Sequence, residues 1–91
     1  MAFIPFWRWV AIFNEVDKQY AVKFGAFIRT ARESKSLYQS QVADMLGITQ
    51  SHLSRIEAGG RIPDLFLSMR ICDALGLDLN DFVKQFSSVD R

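Results

Sequence analysis

The sequence lacks the residues that several classes of protein need. Its 91 residues include one cysteine, Cys72, and one histidine, His52. A single cysteine excludes a disulfide within the chain, and this pair cannot supply the four ligands of a structural zinc site. Cys72 falls in an apolar stretch, so we expect it to be a small core residue of a protein in the reducing cytoplasm.

Catalytic motifs and a strong net charge are also missing. There is no Ser-His-Asp arrangement and no phosphate-binding loop, because Gly59-Gly60 is not followed by Lys-Ser or Lys-Thr. We therefore expect neither an enzyme nor a bound cofactor. The net charge is only +1, but residues 22–63 carry six basic and three acidic side chains, whereas residues 64–91 carry three and five. The basic side of the chain suits a nucleic acid, with an affinity that is modest and sensitive to salt.

Apolar residues recur at helical spacing, and no strand-like alternation is present, which predicts an all-α fold. A first helix is expected over about residues 17–34, with Phe24, Phe27, Ile28 and Ala31 facing inward. A second over residues 39–46 directs Val42, Ala43 and Leu46 inward. The fourth and fifth are expected over about residues 65–75 and 79–86. Their predicted inward side chains are Leu65, Met69, Cys72 and Leu75, then Leu79, Phe82, Val83 and Phe86.

The most informative stretch lies between these helices, at residues 47–59. Gly47 suits the left-handed cap of the preceding helix, and Thr49 suits the N-cap of the next. Leu53 and Ile56 point into a core. The opposite face is polar and consists of Gln50, Ser51, Ser54 and Arg55. Amides, hydroxyls and a guanidinium are groups that contact base edges and phosphates.

Two helices joined by a short glycine-led turn make a helix-turn-helix. The run Gln39-x-x-Val42-Ala43-x-x-Leu46-Gly47-Ile48-Thr49-x-x-x-Leu53-Ser54-x-Ile56-Glu57-x-Gly59 resembles the lambda-repressor and Cro family, the XRE-type regulators. The resemblance continues through Ile62-Pro63, Ala74-Leu75-Gly76-Leu77 and Leu79, and covers about residues 22–86. It implies a five-helix, repressor-like DNA-binding domain.

The resemblance also implies roles for single residues. It makes Gln50 a base-reading residue at the start of the recognition helix, with Ser51, Ser54 and Arg55 beside it; Arg55 could instead grip a phosphate. It makes Gln39 a phosphate contact. It makes Arg32 and Glu57 a buried ion pair whose role is structural.

Three further phosphate contacts are expected around these two helices. Arg61 and the backbone N–H of Gly60 are the candidates in the loop that follows the recognition helix. Tyr38 stands where a serine, threonine or asparagine cap is usual, and its ring could stack against a sugar or the protein.

The N-terminal segment has no counterpart in the family pattern. Nine of the eleven residues from Phe3 to Phe13 are apolar, too few for a membrane span, which needs about 20. Three interpretations stay open: a helix that caps the domain's own core, an interface for a second subunit or another protein, and a membrane-surface anchor with only Arg8 and Lys18 as basic residues. The candidate interface residues are Phe6, Trp7, Trp9, Val10 and Phe13.

The polar residues from Asn14 to Asp17 predict a turn or helix boundary after this segment. The expected organisation is therefore an aromatic-rich N-terminal helix over residues 1–16, a helix-turn-helix domain over residues 17–86 and a tail over residues 87–91.

These features predict a cytoplasmic repressor that binds double-stranded DNA as a homodimer on a palindromic operator and occludes polymerase. Two alternatives remain. In the first, the protein is an antitoxin whose aromatic segment masks a small protein toxin. In the second, it is a protein-interaction module that has lost DNA binding.

Overall fold

The computed structural model describes the backbone of residues 5–88 and the side chains of residues 5–8 and 18–85. These residues form five helices and no strand, which confirms the all-α fold class. The helices are α1 (Phe6–Ser34), α2 (Gln39–Leu46), α3 (Gln50–Glu57), α4 (Leu65–Ala74) and α5 (Leu79–Ser88).

Helix α1 is longer than the sequence pattern indicated. It runs for 29 residues without interruption, so the turn expected at Asn14–Asp17 is wrong, and the boundary expected at residues 16–17 falls inside the helix. This stretch is polar but contains no glycine or proline, and its residues cost a helix little. At about 1.5 Å per residue α1 is about 43 Å long, which gives the molecule its longest dimension, 52 Å against 26 and 19 Å.

The aromatic-rich segment thus extends the first helix of the domain. Among the side chains that the structure describes, the first on α1 to pack against the core is Tyr20. None of the helices in the described part of the chain combines the length and the apolar character needed to cross a membrane.

One core is shared by all five helices. Its fully buried members include Phe24, Ile28, Val42, Leu53 and Ile71. The ring of Phe82 on α5 lies against three rings of α1, with centroid distances of 5.5 Å to Tyr20, 5.2 Å to Phe24 and 5.4 Å to Phe27. Cys72 is buried as expected, and burial raises the pKa of its thiol, which keeps it protonated and unreactive at neutral pH.

Gly25 of α1 packs closely against the C-terminal turn of α3. A Cβ atom on Gly25 would lie 2.4 Å from the carbonyl oxygen of Ile56 and 2.5 Å from that of Glu57. Glycine at this position therefore lets α1 support α3 directly through backbone contact.

The inward side predicted for α4 is confirmed in its C-terminal half, where Cys72 and Leu75 are buried, and is wrong in its N-terminal half. Leu65 and Met69 were expected inside but are 69% and 55% exposed, whereas Ser68 and Ile71 are buried. Both faces of α4 are apolar, so helical periodicity could not distinguish them. On α5, Val83 is also half exposed, and the Phe86 side chain lies outside the described residues.

We predict that Gly25→Ala destabilises the domain by about 1–3 kcal/mol, because the added methyl group collides with backbone atoms that cannot rotate away. Urea unfolding followed by circular dichroism measures the change. The matched control is Thr30→Ala, an exposed position of the same helix, which should be neutral or slightly stabilising. Equal stability of the Gly25 variant and the parent would show that α1 and α3 are further apart than described.

Candidate nucleic-acid interface

The turn between α2 and α3 is built by the two residues that the sequence singled out. Gly47 ends α2 in the left-handed region at φ 70°, and the next N–H, of Ile48, donates to the carbonyl of Ala43 at 3.1 Å. The hydroxyl of Thr49 accepts from the backbone N–H of His52 at 3.0 Å and so caps α3. Both caps fix the direction in which α3 leaves the turn.

The start of α2 uses a cap that the sequence did not reveal. The side-chain carbonyl of Gln41 accepts the backbone N–H of Tyr38 at 2.7 Å, which is one half of a capping box. The Tyr38 side chain makes no capping bond and is 74% exposed. The helix therefore begins normally at Gln39 although tyrosine occupies the capping position, and the phenol is left accessible.

The outer face of α3 forms a polar groove with the first residue of α2. Leu53 and Ile56 are buried beneath it, as predicted. The groove has a volume of about 370 Å³ and is lined by Gln39, Gln50, Ser51, Ser54 and Arg55. All four side chains expected to contact bases thus lie together with Gln39, and His52 is half-buried at the edge of the helix.

A buried ion pair holds this surface to the rest of the domain. Arg32 of α1 donates from Nε to Oε2 of Glu57 at 2.7 Å and from Nη2 to Oε1 at 2.9 Å. Both residues are less than a tenth exposed. The hydrogen bond with Glu57 raises the pKa of the Arg32 guanidinium above its ordinary value. A third donor, Nη1, bonds the carbonyl of Leu37 at 2.7 Å in the link before α2. One guanidinium therefore joins α1, the α1–α2 link and α3.

The carboxylate of Glu57 also accepts a hydrogen bond from Gln39, the candidate phosphate contact. The side-chain amide of Gln39 donates from Nε2 to Oε1 of Glu57 at 3.1 Å. This bond orients the amide and leaves one Nε2–H and the carbonyl oxygen of Gln39 available to other partners. Sequence reasoning treated Gln39 and the Arg32–Glu57 pair as unrelated; their link depends on the spatial approach of α2 and α3, which no local pattern indicates.

The loop after α3 differs from expectation at Gly60. Its backbone N–H, expected to be free for a phosphate, donates to the carbonyl of Arg55 at 2.9 Å, while the N–H of Gly59 donates to Ile56 at 3.1 Å. This is the Schellman arrangement that ends a helix. The N–H of Gly60 is therefore not available, and the prediction for Gly60 is wrong in this respect. Arg61 follows with an exposed side chain.

The candidate protein interface lies at the far end of α1. Phe6 and Trp7 are 80% and 68% exposed. The side chains of Trp9, Val10 and Phe13, the other members of the predicted set, lie outside the described residues.

The site combines a capped turn, a short helix with a polar outer face and a buried ion pair that holds this helix to α1. These features define a helix-turn-helix domain, and comparison with known proteins agrees. The profile of the helix-turn-helix family of XRE type matches residues 28–82. The chain belongs to this family, whose members are DNA-binding transcription regulators.

The chain is also similar to individual known proteins. The chain is 40% identical over 58 residues to the ImmF control region 10 kDa protein of Bacillus phage phi105, a match that spans 64% of each chain. The fold is similar to that of the restriction-modification controller protein C.AhdI from Aeromonas hydrophila, with 29% identity, a TM-score of 0.64 and coverage of 68% of this chain and 94% of that one. It is also similar to the clp gene regulator ClgR from Corynebacterium glutamicum, with 23% identity, a TM-score of 0.69 and coverage of 77% and 91%.

We predict that Arg32→Ala destabilises the domain by about 3–5 kcal/mol, because it leaves the Glu57 carboxylate buried without a cation. Thermal or urea unfolding measures the loss. Arg29→Ala is the matched control: Arg29 lies on the same helix and pairs with Glu33 at 3.5 Å, but both side chains are more than half exposed, so its loss should cost about 0–1 kcal/mol. Similar unfolding of the two variants would contradict a structural role for the buried pair.

Proposed function

We propose that the protein is a transcriptional repressor that binds a palindromic operator as a dimer and occludes polymerase. The observation that carries the proposal is the polar groove on α3, in which every lining side chain can exchange hydrogen bonds with bases or phosphates. That the phage relative is a control-region protein, and C.AhdI a controller protein, supports a regulatory role.

In this proposal α3 enters the major groove of DNA. Gln50 is its first residue and is exposed, and an amide there can bond N6 and N7 of one adenine together. Ser51 and Ser54 contact neighbouring bases, and Arg55 takes a guanine or a phosphate. The two copies of α3 in a dimer would enter successive major grooves about 34 Å apart.

Phosphate contacts on both sides of α3 would fix its position. Gln39 begins α2, where unpaired backbone N–H groups and the positive end of the helix dipole attract an anion. Its free Nε2–H adds a side-chain donor whose direction Glu57 sets. Tyr38 and Arg61 are exposed and supply further contacts, while Gly60 contributes by ending α3 so that Arg61 follows directly.

The far end of α1 is proposed as a protein interface. Exposed aromatic side chains such as Phe6 and Trp7 commonly anchor interfaces. With Trp9, Val10 and Phe13 they would bind a second copy of the chain or a small protein partner. The exposure of Phe6 and Trp7 is also the observation that favours the antitoxin alternative, in which this end of α1 covers a toxin.

We predict that Gln50→Ala lowers affinity for the operator by about 1–3 kcal/mol per half-site and relaxes preference at one base pair, because one bidentate contact is lost. Titration of operator and random duplexes measures both effects. Arg61→Ala is the contrasting variant: it should weaken both duplexes alike and reduce the slope of log affinity against log salt by about 1. Equal weakening of both duplexes by Gln50→Ala would remove Gln50 from the base-reading set.

We predict that the double variant Phe6→Ser/Trp7→Ser keeps the helical circular dichroism spectrum of the parent, because both rings are exposed, but loses a protein contact. Sedimentation equilibrium of the pure proteins tests the second-copy case, and co-purification with a co-transcribed small protein tests the partner case. An unchanged assembly in both experiments would show that these rings are not an interface.

A further inference from the structure

The C-terminal end of α2 receives a hydrogen bond from a side chain of α4. Arg70 donates from Nη2 to the carbonyl oxygen of Leu46 at 2.7 Å. Leu46 is the last residue of α2, so its carbonyl has no partner within the helix and belongs to the negative end of the helix dipole. The guanidinium satisfies this acceptor and also complements its partial charge, which makes the bond stronger than one between neutral groups.

The surroundings of Arg70 direct its guanidinium towards α2. Arg70 lies in a shallow depression between α2 and α4 that Asp73 also lines, yet within the described residues the guanidinium pairs with no carboxylate. The ring of Phe66, one turn earlier on α4, has its centre 5.9 Å from the guanidinium carbon, within the range of a cation–π contact. The ring and the Leu46 carbonyl therefore hold the guanidinium between them.

The carbonyl that Arg70 bonds lies at the beginning of the turn. Three residues, 47–49, separate α2 from α3, so the direction of α3 depends closely on how α2 ends. Within the turn, Gly47 takes the left-handed conformation and the N–H of Ile48 bonds the carbonyl of Ala43 at 3.1 Å. Arg70 adds to these local contacts a support that comes from α4.

The two arginines that hold α3 act at its opposite ends. Arg32 anchors the last residue of the helix through Glu57, whereas Arg70 acts at the turn before its first residue, Gln50. A tilt of about 10° about the anchored end would move Gln50, about 10 Å away along the helix, by about 2 Å. Hydrogen-bond lengths vary over only about 0.5 Å, so such a tilt would break a contact between Gln50 and a base.

We propose that Arg70 is a positioning residue for base reading. By bonding the carbonyl of Leu46 it fixes the turn, and the turn sets the angle at which Gln50 meets a base. The proposal rests on the proposed function, since it concerns the same site, but it assigns Arg70 no contact with DNA. The orientation of α3 is measurable without DNA, so the two ideas can fail separately.

The first test measures the orientation of α3 in the free, full-length protein. Arg70→Met keeps most of the aliphatic stem and removes the donor. Backbone residual dipolar couplings of α3 should then no longer fit the parent's orientation relative to α1, whereas those of α5 should still fit. Arg29→Met is the matched control, because it removes an exposed arginine of α1 that is paired with Glu33, and it should change neither set.

The second test compares two duplexes of equal length, one enriched by selection from a random pool and one of random sequence. Arg70→Met should lower affinity for the enriched duplex about tenfold, as expected for the loss of one charge-assisted hydrogen bond. Its affinity for the random duplex should match that of Arg29→Met, which loses the same positive charge. The salt dependence of random binding should also be the same for both variants.

Three outcomes would overturn the proposal. Equal weakening of both duplexes by Arg70→Met, with a flatter salt slope than Arg29→Met, would make Arg70 a phosphate contact. A lower melting temperature with unchanged preference for the enriched duplex would make its role one of stability alone. Couplings of α3 that fit the parent's orientation would show that Arg70 does not set the angle. A parent that binds no duplex would contradict the proposed function, and the couplings would still decide whether Arg70 orients α3.

Discussion

The buried pair of Arg32 and Glu57 is the interaction on which the proposed DNA-binding surface depends. Helices α2 and α3 have eight residues each, and helices this short are marginal in water unless tertiary contacts hold them. The guanidinium supplies such contacts to α3 through Glu57 and to the link that leads into α2 through the carbonyl of Leu37. A buried ion pair adds little net stability, so we regard its role as fixing the position of α3.

Backbone packing reinforces the same arrangement. Gly25 brings α1 against the carbonyl groups at the end of α3, next to Glu57 itself. The bond from Gln39 to Glu57 then extends the support to a side chain of the polar groove. In this account the Glu57 carboxylate connects α1, α3 and the proposed phosphate contact Gln39. Substitutions that disturb the packing of the core should therefore also change the affinity for DNA.

The sequence predicted local features well because short-range chemistry determines them. The left-handed cap at Gly47, the Thr49 cap and the inward side of α3 all follow from residue types at fixed spacing. The expected turn at Asn14–Asp17 failed because polarity alone does not end a helix when no glycine or proline interrupts it.

Other features depend on tertiary contacts that sequence reasoning could not supply. The inward side of α4 was predicted correctly at Cys72 and Leu75 but not at Leu65 and Met69. The latter two are as apolar as the residues that face the core, and only the fold decides which of them are covered. Within the site, the link from Gln39 to Glu57 requires the spatial approach of α2 and α3. The use of the Gly60 N–H in ending α3 is instead a local feature of the helix terminus, which the Gly59-Gly60 pair itself indicates.

The central claim is that the outer face of α3 reads base sequence. Selection of duplexes bound by the intact protein from a random DNA pool tests it most directly. The account predicts an enriched motif made of two inverted half-sites whose centres are about 10 base pairs apart. A pool that binds but shows no enriched sequence, or a protein that binds no duplex even at low salt, would contradict it.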